Sequence, residues 1–299
     1  MKHTVCTLFE GDYHLGAAAL INSLHRQGFD GTFICGYRGP LPRWHSQSEK
    51  LPSIDIRWVA LDPPVHFTNY KSAFLQTCWE THTPSADQIY YIDPDIIVKA
   101  QWSVIARWAA DGIALCEDVN HYLPARHPLR LAWGDFFNAH QLTSVRSIER
   151  YYNAGFIGLS RDQKDILRHW QRLIDLGGQH LGHLDRIKSN NANDLFHTID
   201  QDALNMALLL GHWQINAAGP SAMDFECGGH LLSHAQGGVK PWQKKFIRSA
   251  LGGRPPSRAD RTFWQAVQGP IQAFDKQTIT RRRLSLNVAA IIGRFWRSY

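Results

Sequence analysis

The sequence predicts an α/β fold: a mostly parallel central sheet with helices on both faces, followed by a basic amphipathic helical tail. Three observations predict it. Short β-rich runs alternate with segments of helical spacing along the first 245 residues, the pattern of strands joined by crossover helices. Hydrophobic residues make up 44% of the chain and charged residues 19%, enough apolar material to bury a sizeable core. Charge is segregated: Lys240 to Tyr299 holds 13 Lys and Arg against two Asp, a net of +11, so a chain of net charge +6 has a body of −5.

The elements follow in order. Residues 3–9, around "VCTLF", read as a strand, residues 10–14 as a loop, and residues 15–25 as a helix closed by Gly28. Glu10, Asp12 and His14 interrupt the apolar stretch, which argues against a secretory signal. No run of about 18 apolar residues is present to span a membrane. "GTFICGY" and "IDIRWVAL" are the second and third strands, and "YKSAFLQTCWE" has helical spacing ahead of "ADQIYYID", the fourth. "GIALCED" is another strand. Residues 119–150, rich in aromatics and His, are expected to form a helical pair, a lid or acceptor platform. Beyond them come the strand "YYNAGFIGLS", the helix "DQKDILRHWQRLIDLG", the polar loop "RIKSNNAND" and the helix "DQDALNMALLLG". Gly252, Gly253, Pro255 and Pro256 mark a linker, dividing a domain over residues 1–250 from a linker and tail over 251–299. The five scattered cysteines form no CxxC pair and are expected to be reduced, buried thiols of a cytoplasmic protein.

"YYIDPDIIVKAQW" reads as a buried strand with two carboxylates in its middle. In a strand, residues i and i+2 face the same way, so Asp93 and Asp95 converge at about 6–7 Å along the chain. Anions that close repel unless a cation or a shared proton lies between them. Pro94 lacks an N–H and suits a ladder that is ending, and ligands of open α/β sheets bind beyond the carboxyl ends of the strands. A divalent-metal site accounts for the pair; two solvated residues capping a turn is the plainer alternative. "HAQGGVKPW" favours the metal. His234 completes a set of two carboxylates and an imidazole that suits Mn2+ or Mg2+ better than zinc. Gly237 and Gly238 let the backbone approach a bulky anion, and Lys240 offers a point charge for phosphate.

In order, "YYIDPDIIV", "YYNAGFIGLS", "DQDALNMAL" and "HAQGGVKPW" resemble glycosyltransferase family 8 over roughly residues 3 to 245. The resemblance implies a Rossmann-like GT-A fold. It also implies a retaining transferase that moves a hexose, galactose or glucose, from a UDP-sugar donor to a glycan or glycolipid acceptor such as lipopolysaccharide or a cell-surface polysaccharide. It places Asp93, Asp95 and His234 on Mn2+ at the donor diphosphate, with Gly237 and Lys240 on the phosphates. By the same resemblance Asn153 and Ala154 lie beside the donor sugar, and Asp200 and Gln201 near its hydroxyls and reacting carbon. Thr7, Leu8, Phe9 and Tyr13 would hold the base. Lys71 resembles a basic residue that related enzymes place near the donor. Asp200 is the only carboxylate nucleophile the resemblance offers, so retention by a covalent intermediate and by same-face attack both stay open. The chain departs from the family in carrying Glu10 and Asp12 in the first loop and Ala235 after the motif histidine.

In the tail, Leu284, Val288, Ile291, Ile292 and Phe295 fall on one helical face, with Arg281, Arg282, Arg283, Arg294 and Arg297 at its ends and Trp296 and Tyr299 beside them. Such a helix fits an anionic membrane surface, at about 1 kcal/mol per basic residue near the lipid, and would make the enzyme peripheral on the cytoplasmic face. The alternative is a helix packed on the domain with solvated arginines. Two further function classes fit parts of the pattern. A membrane-associated nucleotide-sugar-binding protein without turnover would keep the fold and ligands but transfer nothing. A nucleic-acid binder is disfavoured by the acidic body and the lack of any nucleic-acid motif.

Overall fold

The computed structural model describes residues 1–120, 122–191 and 193–295; Trp296, Arg297 and Tyr299 of the tail lie outside the described residues. The first half is built from β1 (His3–Glu10), α1 (His14–Arg26), β2 (Gly31–Arg38), β3 (Ile54–Ala60), α2 (Lys71–Thr77), β4 (Gln88–Ile92), β5 (Ile96–Val98), α3 (Trp102–Ala110) and β6 (Ile113–Glu117). The second half adds α4 (Pro128–Ala139), β7 (Tyr152–Ser160), α5 (Ile166–Leu181), α6 (Ile199–Ala207), β8 (Ile215–Ala218), β9 (Leu232–His234), α7 (Phe246–Leu251), α8 (Arg258–Ala266) and α9 (Lys276–Phe295).

Among the described residues the central sheet has seven strands in the order β3-β2-β1-β4-β7-β6-β8. β7 pairs antiparallel with both β4 and β6, whereas every other pair in the sheet is parallel, so β7 alone runs against the rest. The central strands are buried on both faces and therefore read as continuous apolar runs. Their side chains alternate between two cores. Cys6, Leu8 and Tyr91 join Phe74, Leu75, Trp170 and Leu204 under α2, α5 and α6; Val5, Tyr90 and Ile92 join Ala17, Leu20 and Ile105 under α1 and α3. Each fully buried Val, Leu, Ile or Phe among them contributes about 1.5–3 kcal/mol of transfer free energy.

Three expectations need correction. The run 90–98 is not one strand: β4 ends at Ile92, residues 93–95 turn, and β5 leaves the main sheet to pair with β9, Ile96 opposite His234. The reason is Pro94, which cannot donate to a ladder, together with the bond from Ile96 N to Asp93 O (3.0 Å) that closes the turn. Among the described residues, 119–150 carry one helix, α4, rather than two. His127 caps it through Nδ1, which accepts from Leu129 N (3.2 Å), and after it the chain is held by tertiary contacts, with Val145 N bonded to Leu209 O and Leu142 and Ile148 buried.

The tail differs as well. α9 packs on the body through Leu286 and Ala289, which share a third core with Trp242, Phe246, Phe263 and Trp264. Leu284, Val288, Ile291 and Phe295 point outward, while Ile292 packs partly against that core. At 100° per residue the two stripes lie on opposite sides, so the helix is apolar on both. Arg282 donates to Lys244 O (2.7 Å) and Trp242 O (3.0 Å), and Arg283 to Trp264 O (2.9 Å), so two of the tail arginines are structural. Among the described residues no helix is long and apolar enough to cross a membrane. All five cysteines are free and four are buried; against the expectation Cys227 is exposed, because it lies in a surface turn between exposed Glu226 and Gly228.

Candidate functional site

The turn after β4 and the start of reversed β7 meet at the carboxyl edge of the sheet. Asp93 N donates to Gly155 O (2.8 Å), the last bond before the turn. β5 then carries Asp95 against β9, and Ala235 N donates to Asp95 O (3.1 Å), which brings His234 beside a carboxylate 139 positions earlier in the chain. Asp93, Asp95 and His234 each offer one ligand atom, and the three atoms lie within 4.8 Å of one another. The sequence argument placed the two carboxylates together by strand alternation; a turn does it instead.

These residues fit a divalent cation. His234 Nδ1 is buried with no hydrogen-bond partner among the described residues, and His234 Nε2 lies 3.4 Å from Asp95 Oδ1. Gly155 leaves the room: a Cβ there would lie 2.8 Å from His234 Cε1 and 2.9 Å from Asp93 Oδ2. The β6–β7 register slips next to it, Cys116 pairing with Asn153 where an unbroken ladder would pair it further along β7. Two carboxylate oxygens and an imidazole are the donors that hard-to-borderline dications such as Mn2+ or Mg2+ accept.

Two buried lysines balance the acids. Lys71 is ion-paired with Asp93 and Asp200, at 3.1 Å each, and donates to Ala154 O (3.0 Å). Burial would lower its pKa, but Asp200 and Asp93 outweigh that and raise it. Lys240 Nζ donates to Asp95 Oδ2 (2.5 Å) and Ala235 O (3.0 Å). Burial alone would raise the Asp95 carboxyl; His234 and Lys240 override it and hold the group well below the ordinary carboxylate range. Asp200 goes the other way, pushed up to about 7 by burial against the pull of Lys71, and its Oδ1 has no hydrogen-bond partner.

Asn153, Ala154 and Gln201 form one network behind the cluster. Gln201 Oε1 accepts from Asn153 Nδ2 (3.2 Å) and Ala154 N (3.1 Å), while Asn153 Nδ2 also donates to Asp118 Oδ2 (2.7 Å). Asp118, just past the end of β6, escaped the sequence reading. Its signal was the one that singled out Asp93: a carboxylate ending an apolar run, here in "ALCED".

A cleft of about 180 Å³ opens over the cluster, lined by Leu8, Phe9, Glu10, Tyr13, His66, Asp93, Asp95, His234 and Lys240 among others. Tyr13 stands edge-on to Trp242 at 5.5 Å, and the Lys240 ammonium is 5.8 Å from its ring centre. Thr7 is apart from these: it is fully buried within β1, paired with Cys35, and does not line the cleft. Gly237, at φ 96°, lies in the exposed loop between His234 and Lys240. His66, whose Nδ1 accepts from Thr68 N (3.2 Å), was not anticipated.

No protein-family model matches the chain, and no curated protein matches it. Solved structures do. The apo structure of the bifunctional glycosyltransferase WbbM is similar over 94% of this chain and 51% of its own, with a TM-score of 0.57 and 14% identity. The glycosyltransferase GlyE of Streptococcus pneumoniae TIGR4 is similar over 96% of this chain and 64% of its own, with a TM-score of 0.56 and 15% identity. The galactosyltransferase LgtC, solved with donor and acceptor sugar analogs, is similar over 92% of this chain and 98% of its own, with a TM-score of 0.57 and 12% identity. The chain thus spans about half the length of WbbM and under two thirds of GlyE, but nearly all of LgtC. At these identities the likeness shows the fold: the chain has the GT-A architecture of these glycosyltransferases.

Proposed function

We propose that the chain is a metal-dependent retaining glycosyltransferase of the family 8 type, moving a hexose from a UDP-sugar to a glycan or lipid-linked acceptor. The observation that carries the reading is the convergence of Asp93, Asp95 and His234 at the carboxyl edge of the sheet, around the gap left by Gly155. A divalent cation held by these three residues supplies positive charge where the diphosphate departs as an anion.

The chain's own residues account for the rest of the site. Leu8, Phe9 and Tyr13 offer the cleft an apolar wall and an aromatic edge for a base. Lys240 and the Gly237 loop border the place of the phosphates. Asp200 presents an unpartnered carboxylate oxygen from a buried position, suited to a sugar hydroxyl. Lys71 has three acceptors among protein groups and thus serves the donor by fixing Asp93 and Asp200 in place. Gln201 is likewise held by Asn153 and Ala154, which orients its amide. The outward stripe of α9, flanked by Arg281 and Arg294, would bring the enzyme to an anionic lipid surface on the cytoplasmic face, where a lipid-borne acceptor resides.

Thermal stability with a panel of nucleotides and nucleotide sugars, each with and without Mn2+, tests the reading. The expected result is a rise in the thermal midpoint with UDP or a UDP-sugar that requires Mn2+ and vanishes in Asp95→Ala. No metal-dependent rise with any nucleotide would overturn it.

A further inference from the structure

We infer that Lys240 couples metal and diphosphate at this site: its ammonium sits on Asp95 as an internal counter-ion and opposes a divalent cation there until a diphosphate shares its charge. The inference rests on the functional reading above and adds a coupling which that reading does not require.

Asp95 is 5% exposed, and a carboxylate so placed needs a cation beside it. Lys240 supplies one, with Nζ on Asp95 Oδ2 and Ala235 O, two of its three N–H bonds. His234 faces the other oxygen, Oδ1. A dication gathered by Asp93, Asp95 and His234 would therefore share Asp95 with a fixed positive charge, which weakens that carboxylate as a ligand and repels the ion.

Lys71 makes the contrast. It has three acceptors, Asp93, Asp200 and Ala154 O, on three separate elements, and its side chain is 3% exposed, so it stays where it is. Lys240 keeps one N–H beyond its two bonds and itself lines the cleft, at the end of the exposed loop 237–239. A nucleoside diphosphate entering there brings anionic oxygens to the same ammonium. The lysine then attracts one ligand and repels the other, so each ligand strengthens the other's binding, and the coupling is reciprocal.

The test uses the full chain, with Mn2+ affinity measured by electron paramagnetic resonance and UDP affinity by calorimetry, each with and without the other ligand. Lys240→Met should bind Mn2+ alone about tenfold more tightly than the native chain, about 1.4 kcal/mol. The same variant should bind UDP about tenfold more weakly at saturating Mn2+, and its Mn2+–UDP coupling should shrink to what the direct attraction of cation and diphosphate supplies. Lys240→Gln can still donate to Asp95 and Ala235 O without the charge, and should give the same opposite-signed pair of changes even where the Met variant folds poorly. Lys240→Arg, which keeps the charge, should keep the coupling. Unchanged or weaker Mn2+ binding in both neutral variants, with a native chain that binds both ligands, would overturn the coupling and leave the functional reading standing. A native chain that binds neither Mn2+ nor UDP would overturn both.

Discussion

Gly155 has the least side chain in the site and one of its larger consequences. Its Cα sits where any Cβ would press on Asn153 Oδ1, His234 Cε1 and Asp93 Oδ2, all within 2.9 Å. Gly155→Ala should therefore push two metal ligands apart while leaving the flanking strand bonds in place. The expected outcome is a loss of Mn2+ affinity of about tenfold or more, read by electron paramagnetic resonance, with a nearly native far-ultraviolet spectrum. Native Mn2+ affinity in this variant would show that the ligands lie elsewhere. The β6–β7 ladder is irregular beside Gly155, its register shifting between Leu115 and Cys116. Only the fold shows which side chains would collide with a larger residue.

At the scale of elements, α6 and β7 are tied by Asp202. Its Oδ2 accepts from Thr198 N (2.7 Å) at the start of α6, and its Oδ1 accepts from the Tyr151 hydroxyl (2.7 Å) beside the start of β7. Burial pushes this carboxyl up to about 7, against the pull of the Tyr151 and backbone hydrogen bonds. The folded chain thus binds the proton more tightly than the unfolded chain. That contribution to stability is complete below about pH 4 and is lost as pH rises through about 7. Asp202→Asn should remove this part of the slope: between pH 5 and pH 8 the native thermal midpoint should fall by about 5 °C more than that of the variant. Superimposable pH profiles would refute the assignment. A second junction, between α1 and the 93–95 turn, needs Gly16, where a Cβ would lie 2.3 Å from Pro94 O. The helix after the first strand thereby presses directly on the loop that carries both aspartates.

For the whole molecule, α9 decides how the basic tail is used. Leu286 and Ala289 bury one stripe, while Leu284, at 64% exposed, and Ile291, at 55%, stand on the other. Replacing both exposed residues, Leu284→Asp with Ile291→Asp, should abolish sedimentation with anionic vesicles and change the thermal midpoint by no more than about 2 °C. Leu286→Ala should instead cost about 2–4 kcal/mol of stability. Undiminished vesicle binding by the double variant would remove the outward stripe from the membrane proposal.

The sequence by itself determined strands β1 to β4, β6 and β7 and helices α1, α2, α5 and α6, because apolar period and turn residues are local properties. It also supplied the candidate metal-ligand set, because two aspartates around a proline and a His-Gly-Lys unit are unusual company for a strand end and a loop. It could not show the reversal of β7, which puts Asn153, Ala154 and Gly155 at the site, since strand direction is set by pairing partners distant in the chain. Nor could it show Asp118 beside Gln201, or Lys240 seated on Asp95, contacts across 83 and 145 positions. The tail makes the same point: its period gave one apolar face, and only packing revealed that the opposite face is the buried one. Local spacing fixes which residues share a face, whereas what that face meets depends on the competition of all other surfaces to leave water.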